Sequence, residues 1–273
     1  MRTGSPLGQV AKSVAAALVV TVGVTAGSLS SAGAAARPHS VKMTLSKSIP
    51  PSPVFMRSGA CGISGANDTA SCNTMVVKAL NDARKSEPVA ALAGSFSLRG
   101  FDHLNRTQQI FAIADIERTA RHLAPIAGLT AQLNAIARTA AENQADPSTS
   151  LPLRLAGGGV ATYYGSNFAE GTADAMGANY YWMYDDGLSS PNAGCTRSQQ
   201  SSCWGHRENI LRNYSAAAYC PAGSHLNIVM GAAEVTSGVV FSPSITEIMV
   251  NDCGALPTMD FTWHDVQKLV FGH

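Results

Sequence analysis

Charge is scarce in this 273-residue chain: only 14% of its residues are Asp, Glu, Lys or Arg, and the formal net charge is +1. A near-neutral balance gives no electrostatic reason for nucleic acid or an anionic membrane to be the partner. Several chemical signatures are missing too. There is no Cys-x-x-Cys, which argues against a structural zinc site. His206-Arg207-Glu208-Asn209-Ile210 is not the His-Glu-x-x-His of a zinc protease. No Gly-x-Ser-x-Gly elbow occurs. Gly157-Gly158-Gly159 lacks the following Gly-Lys-Ser/Thr of a phosphate-binding loop and reads as a flexible turn. No internal repeat is visible, and after the N-terminus no stretch is apolar enough to span a bilayer.

What is present begins with residues 1–36, which read as an export signal. Arg2 and Lys12 give the positive start, Val14 to Val24 is uncharged and apolar, and Ala32-Gly33-Ala34 supplies a small-x-small cleavage site. An uncleaved anchor is the alternative. After cleavage the expected protein is secreted, with no transmembrane segment. All six cysteines follow the signal, and their even number fits an oxidising compartment. The preferred pairing is Cys61–Cys72, Cys195–Cys203 and Cys220–Cys253, since the first two close short polar loops.

Residues 37–74 form a Pro/Ser-rich lead-in with a small Cys loop, and 75–273 the folded domain. Helical spacing begins near Met75, with Val76, Val77, Leu80 and Ala83 on one face. Thr107 is positioned to cap a helix through Ile116, and Thr130 another through Leu133, Ile136, Ala137, Ala140 and Ala141. A further helix is expected from Thr172, with Met176, Tyr180, Met183 and Tyr184 on one side and Gly187 as its stop. Leu226–Met230, Val239–Phe241 and Ile245–Val250 read as short strands. Helices first and strands last predict an α+β fold, a sheet buried by helices.

Three segments are candidates to converge on a cleft: 167–171, 182–187 and 203–211. Asp185 and Asp186 close a helix where negative charge opposes the helix dipole, a local conflict typical of functional sites; they also suit a solvated turn. His206 is able to carry a proton near neutrality or to ligate a cation, and equally to start a helix by bonding backbone. Asn167 and Glu170 fit the N-terminus of the helix after them. Trp182, among Tyr180, Tyr181 and Tyr184, reads as core or cleft rim.

These segments resemble the CAP superfamily of cysteine-rich secretory proteins, antigen 5 and pathogenesis-related proteins. Leu80-Asn81-Asp82-Ala83-Arg84 resembles its LN-x-x-R opening, and Gly165-Ser166-Asn167-Phe168-Ala169 its GENIA segment. Gly205 to Leu211 resembles the GHR-x-NIL of bacterial members, and Met230-Gly231-Ala232-Ala233 the following GVG strand. The resemblance covers residues 75–252 and implies a three-layer α-β-α sandwich, here with an extra N-terminal helical insert over Ser95–Ala124. It further implies a cleft in which two histidines and two acids hold a divalent cation. His206 matches one histidine, and Asp185 or Asp186 lies near the second acid. Ser166 replaces the first acid, and Asp146–Pro152 has no histidine. The expected metal set therefore shrinks to His206 and Asp185, a weak cation site with no tightly held cofactor.

The resulting expectation is a secreted CAP-like domain that binds in a shallow polar and aromatic cleft. Its residues would be His206, Asp185, Asp186, Asn167, Glu170 and Trp182; its ligand, a lipid, cell-wall fragment, cation or protein. One alternative is an extracellular hydrolase with His206 as base and Asp185 or Asp186 as its partner. The other is a structural surface protein with a vestigial cleft.

Overall fold

Two ten-residue antiparallel strands, β5 (Leu226–Val235) and β6 (Ser244–Cys253), form the centre of the sheet. The computed structural model describes residues 70–85, 87, 89–92, 96–172, 174–185 and 204–272. Chain order is α1 (Ala70–Arg84), α2 (Leu98–Asp102), α3 (Arg106–Thr119), β1 (Gly128–Leu129), α4 (Ala131–Glu142), β2 (Leu153–Arg154), β3 (Val160–Ala161) and β4 (Tyr164–Glu170). Then follow α5 (Ala175–Tyr180), running on as a π-helical turn over Tyr181–Asp185, α6 (Gly205–Leu211), α7 (Ala216–Tyr219), β5, β6, β7 (Phe261–Thr262) and α8 (Trp263–Val266). The fold is α+β around a mixed sheet. β4 pairs antiparallel with β6 on one side, and β1 runs parallel to β5 on the other.

Strand alternation sorts the two faces. Ile228, Met230, Ala232, Ile245 and Met249 face a core built with α1, α3, α5 and α6. Val229, Ala233, Ile248 and Val250 face α4 through Leu133, Ala137 and Ala141. On the α4 face the buried hydroxyls of Ser244 and Thr246 donate to the carbonyls of Ala141 and Ala137 at 2.6 and 2.7 Å. A Cβ at Gly231 would collide with the backbone of Leu133, so the closeness of α4 to β5 requires glycine there.

Helix ends partly follow their sequence signals. Thr130 caps α4, its hydroxyl accepting from Leu133 N at 3.2 Å. α3 is capped by Asn105 rather than Thr107, in a reciprocal box with Gln108 that satisfies two otherwise orphaned N–H groups. The helix expected from Thr172 starts at Ala175 behind Asp174; residues 164–170, read as its approach, are instead strand β4. Val239–Phe241 lies in the turn between β5 and β6 rather than in a strand. Within the segment expected as an insert, of which 96–124 are described, Ile110, Phe111, Ile113 and Ile116 of α3 are all core.

Cys220 and Cys253 form the expected disulfide. Cys72 is also disulfide-bonded, to a partner outside the described residues. The Cys195–Cys203 pairing and the signal segment lie outside them as well. No described helix is long and apolar enough to cross a membrane.

Candidate functional site

The three segments meet. Asn167 of β4 donates from Nδ2 to the His206 carbonyl at 3.1 Å, Trp182 Nε1 donates to the Phe168 carbonyl at 3.0 Å, and Arg207 Nη1 donates to the Met183 carbonyl at 2.8 Å. What lies between them is largely scaffold. Arg207 Nη2 donates to Glu87 Oε1 at 2.7 Å, and Arg121 Nη2 to Glu87 Oε2 at 2.9 Å. Arg121 also pairs with Glu117, as does Arg84 at 3.0 Å. The Tyr184 hydroxyl closes the cluster, accepting from Arg121 at 2.8 Å and donating to Glu117 at 3.3 Å.

Every member of this cluster is buried or nearly so, which makes pairing obligatory. Burial by itself raises the Glu117 carboxyl; the guanidinium groups of Arg84 and Arg121 outweigh it and bring the value down to about 2. Burial likewise pushes the Tyr184 hydroxyl up, to about 12. Next in α3, Arg118 donates to the carbonyls of Ile210 and Arg212 at 2.6 and 3.0 Å, holding the C-terminal end of α6 with a cation.

A second polar group lies under the first turn of α6. Asn167 and Glu247 are register partners on β4 and β6. Asn167 Nδ2 donates to Glu247 Oε1 at 2.7 Å, while its Oδ1 accepts from Asn209 Nδ2 at 3.0 Å. Asn209 also donates to the Ser166 carbonyl at 2.8 Å. A Cβ on Gly165 would stand 2.8 Å from the Asn209 amide oxygen, so the small residue lets α6 approach β4. Glu247 is wholly buried and its Oε2 has no hydrogen-bond partner. Desolvation raises its carboxyl to about 8 against the opposing effects of Asn167 and His206, so it is neutral at pH 7.

His206 is the part of this arrangement that reaches solvent. Its side chain is 28% exposed, and Nε2 lies 3.9 Å from Asp146 Oδ1 in the loop after α4. The preceding Trp204 takes φ 65°, the left-handed region that bulky residues avoid, which marks the entry to α6 as a strained position held by its surroundings.

The candidate residues therefore divide. Asn167 is fully buried and organises the strand–helix contact; it caps no helix. Trp182 is 1% exposed and part of the core. Glu170 ends β4, exposed, and accepts from Gln144 at 3.0 Å. It pairs with Ser244, whose hydroxyl bonds α4, so it belongs to the opposite face of the sheet from His206. Asp185 ends the π-helical turn, and Asp186 lies outside the described residues. Sequence reasoning did not single out Glu247, Asp146, Glu87 or Glu117 as site or scaffold residues. The one available signal was a glutamate inside the apolar run Ile245–Val250. Among the described residues no three His, Cys, Asp or Glu side chains are grouped to hold a metal ion. The chain matches no protein-family model, no curated protein and no solved structure.

Proposed function

We propose that the chain is an exported, disulfide-braced CAP-like domain that acts by binding at the edge formed by His206 and Asp146. Helices on both faces of the sheet, and the order of the LN-x-x-R-like, GENIA-like and GHR-x-NIL-like segments, support the CAP-like three-layer reading. One observation carries the binding reading: the side chains of Arg84, Asn167, Arg207 and Asn209 make scaffold contacts, and the His206 ring reaches solvent, 28% exposed and 3.9 Å from Asp146. Ligands of the fitting class are cell-envelope components and exported small molecules with a carboxylate or hydroxyl for the imidazole, or a weakly held cation shared by His206 and Asp146.

The test is to purify the secreted chain and measure bound lipid, glycan and metal by mass spectrometry. Retention of one of these, lost in His206→Ala with unfolding unchanged, supports the reading. Absence of all three at micromolar sensitivity contradicts it.

The His206–Asp146 pair also favours a second reading. Catalytic contacts are often long before substrate binds, and a carboxylate 3.9 Å from the imidazole is within reach of orienting it as the general base of an extracellular hydrolase. That reading predicts turnover of peptide or cell-wall substrates, abolished in His206→Ala. Activity that survives this substitution rejects it.

A further inference from the structure

On the opposite edge of the sheet from His206, β1 pairs with β5 only at Val229 and Met230, because the chain turns at Thr130 into α4. Beyond that point, among the described residues, no strand continues along this side of β5. A cleft of about 370 Å³ opens there, lined mainly by polar residues, among them Arg106, Asn134, Glu234 and Asp260, with the nearly buried Leu129 and Phe261 as its apolar members. Asn134 is occupied, its Oδ1 accepting from Ala232 N at 3.1 Å.

Glu234 is the unusual wall residue. Its side chain is 7% exposed, yet Oε1 lies 3.6 Å from Arg106 Nε, beyond an ordinary hydrogen bond. Its Oε2 is buried and has no hydrogen-bond partner. Near it Asp174 is 1% exposed; its Oδ1 accepts from Gly177 N at 2.8 Å, and its Oδ2 too lacks a partner. Arg106 spends part of its donor capacity on Gln109 Oε1 at 2.8 Å. Glu234 and exposed Asp260 line the cleft with Arg106, and Asp174, which interacts with both Arg106 and Glu234 without lining it, adds a third carboxylate. Buried acceptors without donors are rare in folded proteins, and a ligand that brings donors repairs them.

We propose that this cleft binds the ammonium group of a small organic amine. The ammonium supplies several donors and a positive charge to Glu234, with exposed Asp260 beside it, while the alkyl portion lies along the cleft. The volume admits a diamine or one lysine-like chain.

The experiment titrates the purified full chain calorimetrically with 1,4-diaminobutane and, separately, with lysine blocked at its α-amino and carboxyl groups, at low ionic strength. Saturable binding of either probe is expected, weakened roughly tenfold or more by Glu234→Gln, weakened less by Asp260→Asn, and reduced by salt. Asp260 is exposed, so its variant tests the site without threatening the fold; circular dichroism checks Glu234→Gln. Binding of the diamine alone assigns a free amine, and binding of both extends the site to peptidyl lysine. Failure of both probes to bind, or binding indifferent to both substitutions, overturns the proposal.

Discussion

Glu247 shows how far one residue departs from what its neighbours in sequence suggest. Ile245–Val250 reads as an apolar strand, and a glutamate there looks like a solvent-facing interruption; only the register with Asn167 places it inside. Its folded carboxyl titrates near 8 instead of the ordinary 4.5, so between those values the folded state holds a proton that the unfolded chain has released. Stability from this group is full below the unfolded value and is lost as pH rises toward 8. Replacing Glu247 by Gln should therefore gain on the native chain by about 3 kcal/mol between pH 5 and pH 8.5, in urea unfolding measured at both. A constant difference across that range would remove the buried neutral carboxyl. Arg207 behaves oppositely. Truncating it to Ala strands Glu87 in the interior and should cost about 3–5 kcal/mol in the same assay. Loss of less than about 1 kcal/mol, the range of an exposed pair, would show that the cluster is solvated. His206 was singled out because aromatic, glycine and polar residues cluster around it beside an expected disulfide. Its acidic neighbours were not, since Asp146 arrives from a loop some sixty residues away.

At the scale of elements, the amphipathic helices were the most readable parts. The spacing of Leu133, Ala137 and Ala141 is that of a helix laid on a sheet, and Thr130 announces its start. The two-residue strands β1, β2, β3 and β7 carry too few side chains to set a period, and β4 was hidden because Asn167 and Glu170 also suit a helix N-terminus. Gly231 couples α4 to β5. Alanine there forces a backbone shift and should destabilise by about 1–3 kcal/mol in denaturant unfolding, whereas the same change at exposed Gly205, where added atoms meet nothing, should leave packing intact. The Cys220–Cys253 link closes a separation of 33 residues, and replacing both by serine should cost about 3–4 kcal/mol under oxidising conditions. An unchanged unfolding midpoint would mean that the strand pairing and the Tyr163–Tyr214–Tyr219 ring cluster beside it suffice alone.

Across the whole molecule, the residues that resemble family motifs act chiefly as joints. Arg84 and Arg207 meet in one ionic cluster with α3, and Asn167 and Asn209 tie β4 to α6; α3, read from sequence as an insert, supplies Glu117, Arg118 and Arg121 to hold them. Beside this scaffold the His206 ring is 28% exposed and lies 3.9 Å from Asp146, the edge at which binding is proposed. The most direct measurement is a paired one on His206→Ala: the unfolding midpoint, and the lipid, glycan or metal retained by the secreted chain. Asn167 bonds the backbone carbonyl at 206, which alanine keeps, so the cost in stability should stay well below the roughly 3–5 kcal/mol expected of Arg207→Ala while the retained ligand is lost. A variant that holds its ligand as tightly as the native chain, or that unfolds as Arg207→Ala is predicted to do, would contradict the account.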